Sequence, residues 1–151
     1  MTSTTPNITA ATFLRRFGAM VYDSLLLFAL LMVAALPVVV TVGENSEFVK
    51  SPAYTLYLYT VSFLFFGWFW THGGQTLGMR SWRLQVIRSD GFALGWDSAL
   101  IRFLSATLSL CLFGIGFFWI LFNSEKLAWH DHLSKTHILY NPDLGKKKNT
   151  G

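Results

Sequence analysis

Apolar residues along this chain fall into three long runs separated by short polar stretches. After Arg15 and Arg16 the first run reaches Val42, and about 20 apolar residues suffice to cross the hydrocarbon of a bilayer. Pro37 lacks a backbone donor and its ring opposes the carbonyl of Val33, so this run predicts a helix that kinks or ends early towards its far end. Glu44, Glu47 and Lys50 then mark a short acidic loop from Gly43 to Ser51. Ser51 followed by Pro52 has the form of a helix start, an N-cap hydroxyl with proline at the first helical position. From Ala53 to Thr71 no residue is charged. Tyr54, Tyr57 and Tyr59 at one end and Trp68 and Trp70 at the other match the two interfacial aromatic belts of a second transmembrane helix.

The stretch from Gly73 to Asp97 changes character. Gly73, Gly74 and Gly78 interrupt the helical pattern, and Arg80, Arg83 and Arg88 make the segment basic, which places it in water or at headgroup level. Leu84 to Arg88, the turn Ser89-Asp90-Gly91 and Phe92 to Leu94 predict a short β-hairpin, and Asp97 predicts an N-cap for the next helix. The third apolar run, Ser98 to Phe122, contains Arg102 and the sequence Gly114-Ile115-Gly116. As a single span it carries the tail to the side opposite the basic middle loop. Bent into a hairpin at the two glycines it returns. Lys126 and Lys135 close behind it favour the bent form, with both termini on the cytoplasmic side, because short cytoplasmic loops collect Lys and Arg.

Composition sharpens this picture. Of 151 residues 52% are hydrophobic, 17% aromatic and 13% charged, against about 25% charged in an average soluble domain. The expectation is a single-domain, all-α integral membrane protein of a prokaryotic inner or plasma membrane. It has a disordered lead-in over residues 1–11, a membrane domain over 12–140 and a basic tail over 141–151. The net charge of +4 resides on residues flanking the apolar runs, which points to lipid phosphates and away from nucleic acid. Lys146, Lys147 and Lys148 suit solvent or anionic lipid. Cys111 is the only cysteine, and its place in an apolar run predicts a packed, inert thiol. The first run is longer than a signal-peptide core and contains Asp23, so it is read as a retained span.

Asp23 is the residue that most demands an explanation. An aspartate at the centre of a membrane helix costs about 2.5–3.5 kcal/mol, less nearer an end, and marks either a structural ion pair or a site for a proton or cation. Arg16 lies seven residues earlier on the same face, about 10.5 Å away along the axis, too far for contact. Arg102, the arginine inside the third run, is therefore the expected partner. His130-Asp131-His132, with His137 beyond, carries ligand types found around zinc, but adjacent residues rarely converge on one ion, so no metal is expected. His72 reads as an interfacial residue. Gly73 to Gly78 lacks the register of a phosphate loop.

Arg16 and Asp23, Gly74-Gln75-Thr76-Leu77-Gly78, the Arg88-to-Gly91 turn, Arg102, and His130-Asp131-His132-Leu133-Ser134-Lys135-Thr136 occur in an order that resembles the RDD family of membrane proteins, over roughly Thr12 to Tyr140. The arginine and two aspartates of its name map onto Arg16, Asp23 and Asp131. The chain departs from the family pattern at Met79, where a lysine commonly stands, and at Lys135, where a glycine commonly stands. The resemblance implies a membrane-embedded, transport-related protein whose tail folds back so that Asp131 meets Arg16. The leading expectation is proton or monovalent-cation handling at Asp23, with Arg102 as its counter-ion. Arg16 and Asp131 form a second pair, and His130, Arg80 and Thr136 are accessory candidates. Two or three spans per chain suggest a homodimer or larger assembly, and no cofactor is expected. The competing class is a non-transporting module that binds a protein or lipid. An enzyme is the weakest class, since no nucleophile, base and oxyanion donors can be grouped.

Overall fold

The computed structural model describes residues 8–112, 114–122 and 127–144. Its first long helix, α1 (Phe13–Val42), starts directly after Thr12 and so takes Arg15 and Arg16 into its opening turns rather than leaving them as a flank. Pro37 does not end α1. The helix runs on to Val42, and Thr41 Oγ1 donates to the Pro37 carbonyl across 2.8 Å. Proline removes one rung of the backbone ladder but leaves the turns on either side intact. Helix α2 (Pro52–Thr71) begins as expected: Ser51 Oγ accepts from the Tyr54 amide at 3.4 Å and Pro52 occupies the first turn.

Two transmembrane helices were expected, and among the described residues α1 alone is both long enough and apolar enough to cross a membrane, with a mean hydropathy of 2.9 over its best stretch. Helix α2 has 20 residues, a sufficient length. Its tyrosines, threonines and tryptophans lower its apolarity.

Gly73 and Gly74, with φ of +130° and +70°, turn the chain out of α2. The short helix α3 (Leu77–Ser81) follows, and Gly78 lies inside it rather than breaking it. Strand β2 (Leu84–Arg88) comes next, but the predicted hairpin does not form. β2 pairs antiparallel with the distant β3 (Thr136–Tyr140), Val86 opposite Ile138, while the Phe92 carbonyl accepts from the Arg88 amide at 3.4 Å. The cause is burial. Leu84, Val86 and Ile138 all face inward at 8% exposure or less, and burying an aliphatic side chain stabilises by about 1.5–3 kcal/mol, whereas Phe92 is 71% exposed. On the other side of β3 lies β1 (Thr9–Ala10), and the Ala11 amide donates to the Ile138 carbonyl at 3.0 Å. The end of the presumed lead-in is thus an edge strand, and the all-α expectation gives way to a mainly helical fold with one three-stranded sheet, in the order β1-β3-β2.

The third apolar run is broken. Helix α4 (Trp96–Cys111) has its N-cap at Gly95, two residues before the predicted Asp97, which sits in its first turn. After Cys111 the chain turns through Gly114, φ +75°, into α5 (Ile115–Phe118) and the 3-10 turn Trp119–Leu121, bent by 107° from α4. Cys111 is exposed on the protein's surface and not packed inside. A last short helix, α6 (Trp129–Leu133), leads into β3. Trp70, Met79, Ala99 and Phe103 close over the inner face of the sheet together with Ala11 and Ala19. Lys126 and Lys146 to Lys148, used above as charge markers, lie outside the described residues.

Candidate functional site

Two polar centres sit inside this apolar shell. The first is built around Asp131, in the opening turn of α6 and with no exposed surface. Arg16 Nη1 of α1 donates to its Oδ2, Arg102 Nη1 of α4 donates to its Oδ1 at 2.6 Å, and the Ala128 amide donates to Oδ2 at 3.2 Å. Arg102 Nη1 also donates to Thr136 Oγ1 at 2.7 Å, and the Arg102 guanidinium carbon lies 5.2 Å from the centre of the Trp70 ring. One carboxylate therefore ties together helices separated by more than a hundred residues, and charge-assisted bonds of this kind are the strong ones.

Burial alone pushes the Asp131 carboxyl up, but Arg102, His130 and Arg16 outweigh it and hold the group below the usual carboxylate range. His130 is 4% exposed, with Nε2 at 3.6 Å from Asp131 Oδ1, too long for a hydrogen bond. Burial lowers its pKa from 6.5 to about 3, with Asp131 opposing and both arginines assisting. At neutral pH His130 is a neutral imidazole.

The second centre is Asp23, on the inner face of α1 at 5% exposure. Its Oδ2 accepts from Thr76 Oγ1 at 2.5 Å and its Oδ1 accepts from the Gly78 amide at 2.9 Å. Thr76 at the same time caps α3 by accepting from the Met79 amide at 3.1 Å. Any Cβ at Gly78 would collide with the Ala19 carbonyl and the Asp23 carboxylate, so the missing side chain is what lets α3 dock on α1.

The expected Asp23–Arg102 pair is thereby overturned: Arg102 belongs to Asp131, and Asp23 is satisfied by a hydroxyl and an amide. A helix start offers unpaired backbone N–H groups, which suit an anionic oxygen without carrying a full charge, so Asp23 needs no cation. The Gly-Gln-Thr-Leu-Gly segment held that signal, a capping hydroxyl two residues ahead of a side-chain-free amide. The Arg16–Asp131 contact implied by the resemblance is present. Thr136 is buried in the same cluster, whereas Arg80 is exposed on α3. No group of three potential metal ligands occurs among the described residues.

Both centres border one cavity of about 400 Å³ between α1, α4 and α5. Apart from Ser24 and Thr107 its other walls are apolar, with Phe17, Leu27, Phe103 and Leu110 among them. Lys135 has φ +51°, in the left-handed region that glycine occupies without strain. The chain thus carries a side chain at a conformation suited to the glycine of the family pattern.

The model of the RDD family matches residues 10–135. No curated protein and no solved structure matches the chain.

Proposed function

Because this chain belongs to the RDD family, we propose that it is an integral membrane protein that moves protons or monovalent cations by way of Asp23. The observation that carries this reading is the state of that carboxylate. It is buried on a helix apolar enough to span a bilayer, it borders a cavity, and it accepts hydrogen bonds from two neutral donors, the Thr76 hydroxyl and the Gly78 amide. A proton or a small cation arriving from the cavity is then the species that cancels its charge. Thr76 supports such exchange because its hydroxyl can donate to an ionised Asp23 and accept from a protonated one.

In this reading α1 and α2 cross the bilayer, and α4 and α5 dip into it and return. β1 and β3 lie side by side in one sheet, so the two ends of the domain share one side. Arg83 precedes β2 and Arg88 is its last residue, and Lys135 precedes β3. The positive-inside rule makes this the cytoplasmic face. So small a bundle lacks the walls for two gates, and a homodimer or larger assembly supplies them.

Everted vesicles carrying Asp23→Asn test the proposal. The asparagine keeps the shape and the bonds from Thr76 and Gly78, so the variant should insert normally and lose coupled proton flux. Flux equal to that of the parent protein removes Asp23 from the mechanism. A purely structural role is the second reading, supported by the way Asp131 bolts α1, α4 and α6 together. It requires that flux be absent from the parent chain too.

A further inference from the structure

The oxygens of Asp23 have room for a further donor. Oδ2 accepts from the Thr76 hydroxyl and Oδ1 from the Gly78 amide, whereas an ionised carboxylate offers about four acceptor positions. The group borders the cavity of about 400 Å³, a size within the roughly 300–1,000 Å³ of small-molecule pockets. Around it the wall is mostly hydrocarbon, with Phe17, Leu27, Phe103 and Leu110 contributing. Arg16 and Arg102 border the same space, but both guanidinium groups donate to Asp131. Arg16 also stands seven residues before Asp23 on α1, about 10.5 Å along the axis. A bare ion at Asp23 cancels the charge and leaves the apolar walls without contact. A neutral hydrocarbon does the reverse.

We propose that this cavity binds a hydrophobic ammonium, a monovalent organic cation with a compact hydrocarbon body. Its N–H groups donate to the free positions on the Asp23 oxygens, and its body lies against Phe17, Leu27, Phe103 and Leu110. An N–H donor on a carboxylate forms a charge-assisted bond, the strong kind, and aromatic walls suit a cation as well as a hydrocarbon. The inference rests on the reading that Asp23 carries a negative charge within the membrane, and it names the class of cation that the site takes. Ammonium and proton then compete for one carboxylate, the condition for exchanging one against the other.

Adamantylamine and adamantanol, alike in shape and different in charge, test this without any variant. Equilibrium dialysis of the full chain in non-ionic detergent at neutral pH, corrected for empty micelles, should show saturable binding of the tritiated amine. The alcohol should bind about tenfold more weakly or worse, since a hydrogen bond to a charged group is lost. Methylammonium, a cation without the body, should not displace the amine at equal concentration. Asp23→Asn, which removes the charge, and Ala106→Phe, which puts a ring into the cavity wall, should each abolish saturation. Equal binding of amine and alcohol would make the site an apolar surface only and would overturn the proposal. Displacement by methylammonium at equal concentration would make it a site for bare cations, with the same consequence, and unaltered binding to either variant would place the ligand elsewhere. Proton flux in the everted vesicles separates this inference from the reading beneath it. Flux that depends on Asp23 without saturable amine binding sinks the ammonium site alone, whereas amine binding that depends on Asp23 without flux upholds the site and removes transport.

Discussion

Asp131 is the residue on which most of the buried polar structure depends. Removing its charge leaves two guanidinium groups facing each other inside the protein, and breaking one side of a buried ion pair costs about 3–5 kcal/mol. Asp131→Asn should therefore lower the melting temperature sharply or abolish recovery of folded protein in detergent. A variant that melts with the parent would show that the arginines find other partners. His130 gives the protein a second, pH-dependent weakness. Its pKa falls from 6.5 to about 3 on folding, so between those values the unfolded chain binds a proton that the folded chain excludes, and stability drops as pH falls. Melting followed by tryptophan fluorescence should show this loss below about pH 6.5, and His130→Gln should flatten it. Asp131 adds a further loss only below its ordinary value of 3.8, where the unfolded chain takes up a proton first. Lys135→Gly relieves a left-handed backbone at a net gain of up to about 1 kcal/mol, since the strain of about 1–2 kcal/mol is partly offset by glycine's freedom in the unfolded chain. A lower melting temperature for that variant would mean that the lysine side chain contributes a contact of its own.

The elements were legible in proportion to how local their causes are. The cap of α2 could be read from Ser51 and Pro52, because one hydroxyl and one fixed φ decide it. The break of the third run could be read from its glycines for the same reason. The partner of β2 could not. Its choice rests on burying Leu84 and Val86 against Ile138 more than fifty residues later, and a turn sequence next to β2 said nothing about that face. Likewise a carboxylate in a membrane helix announced that it needed neutralising, but not that α3 would present an amide. Gly78→Ala tests this docking. The added methyl meets the Ala19 carbonyl and Asp23, so α3 should be forced off α1, with a fall in melting temperature and faster hydrogen exchange at residues 76–81. Ordinary exchange there would show that α3 is held by other contacts.

For the whole molecule, one sheet joins the start of the domain to its end, and one ionic cluster repeats the same closure between α1, α4 and α6. The scarcity of charge pointed to a membrane protein, and the resemblance to the RDD family implied that Asp131 meets Arg16, but nothing in the sequence pattern announced the pairing of Thr9 with Tyr140 in one sheet. Closure fixes the cavity and sets Asp23 beside it, so the chemistry proposed for the protein comes down to whether that carboxylate changes charge within the membrane. Infrared difference spectroscopy of the protein in liposomes, stepped in pH with and without sodium or potassium, observes it directly. A carboxylic-acid C=O band that changes with the step, responds to the cation and is missing from Asp23→Asn is the result expected. An identical difference spectrum from the parent and from Asp23→Asn would contradict it.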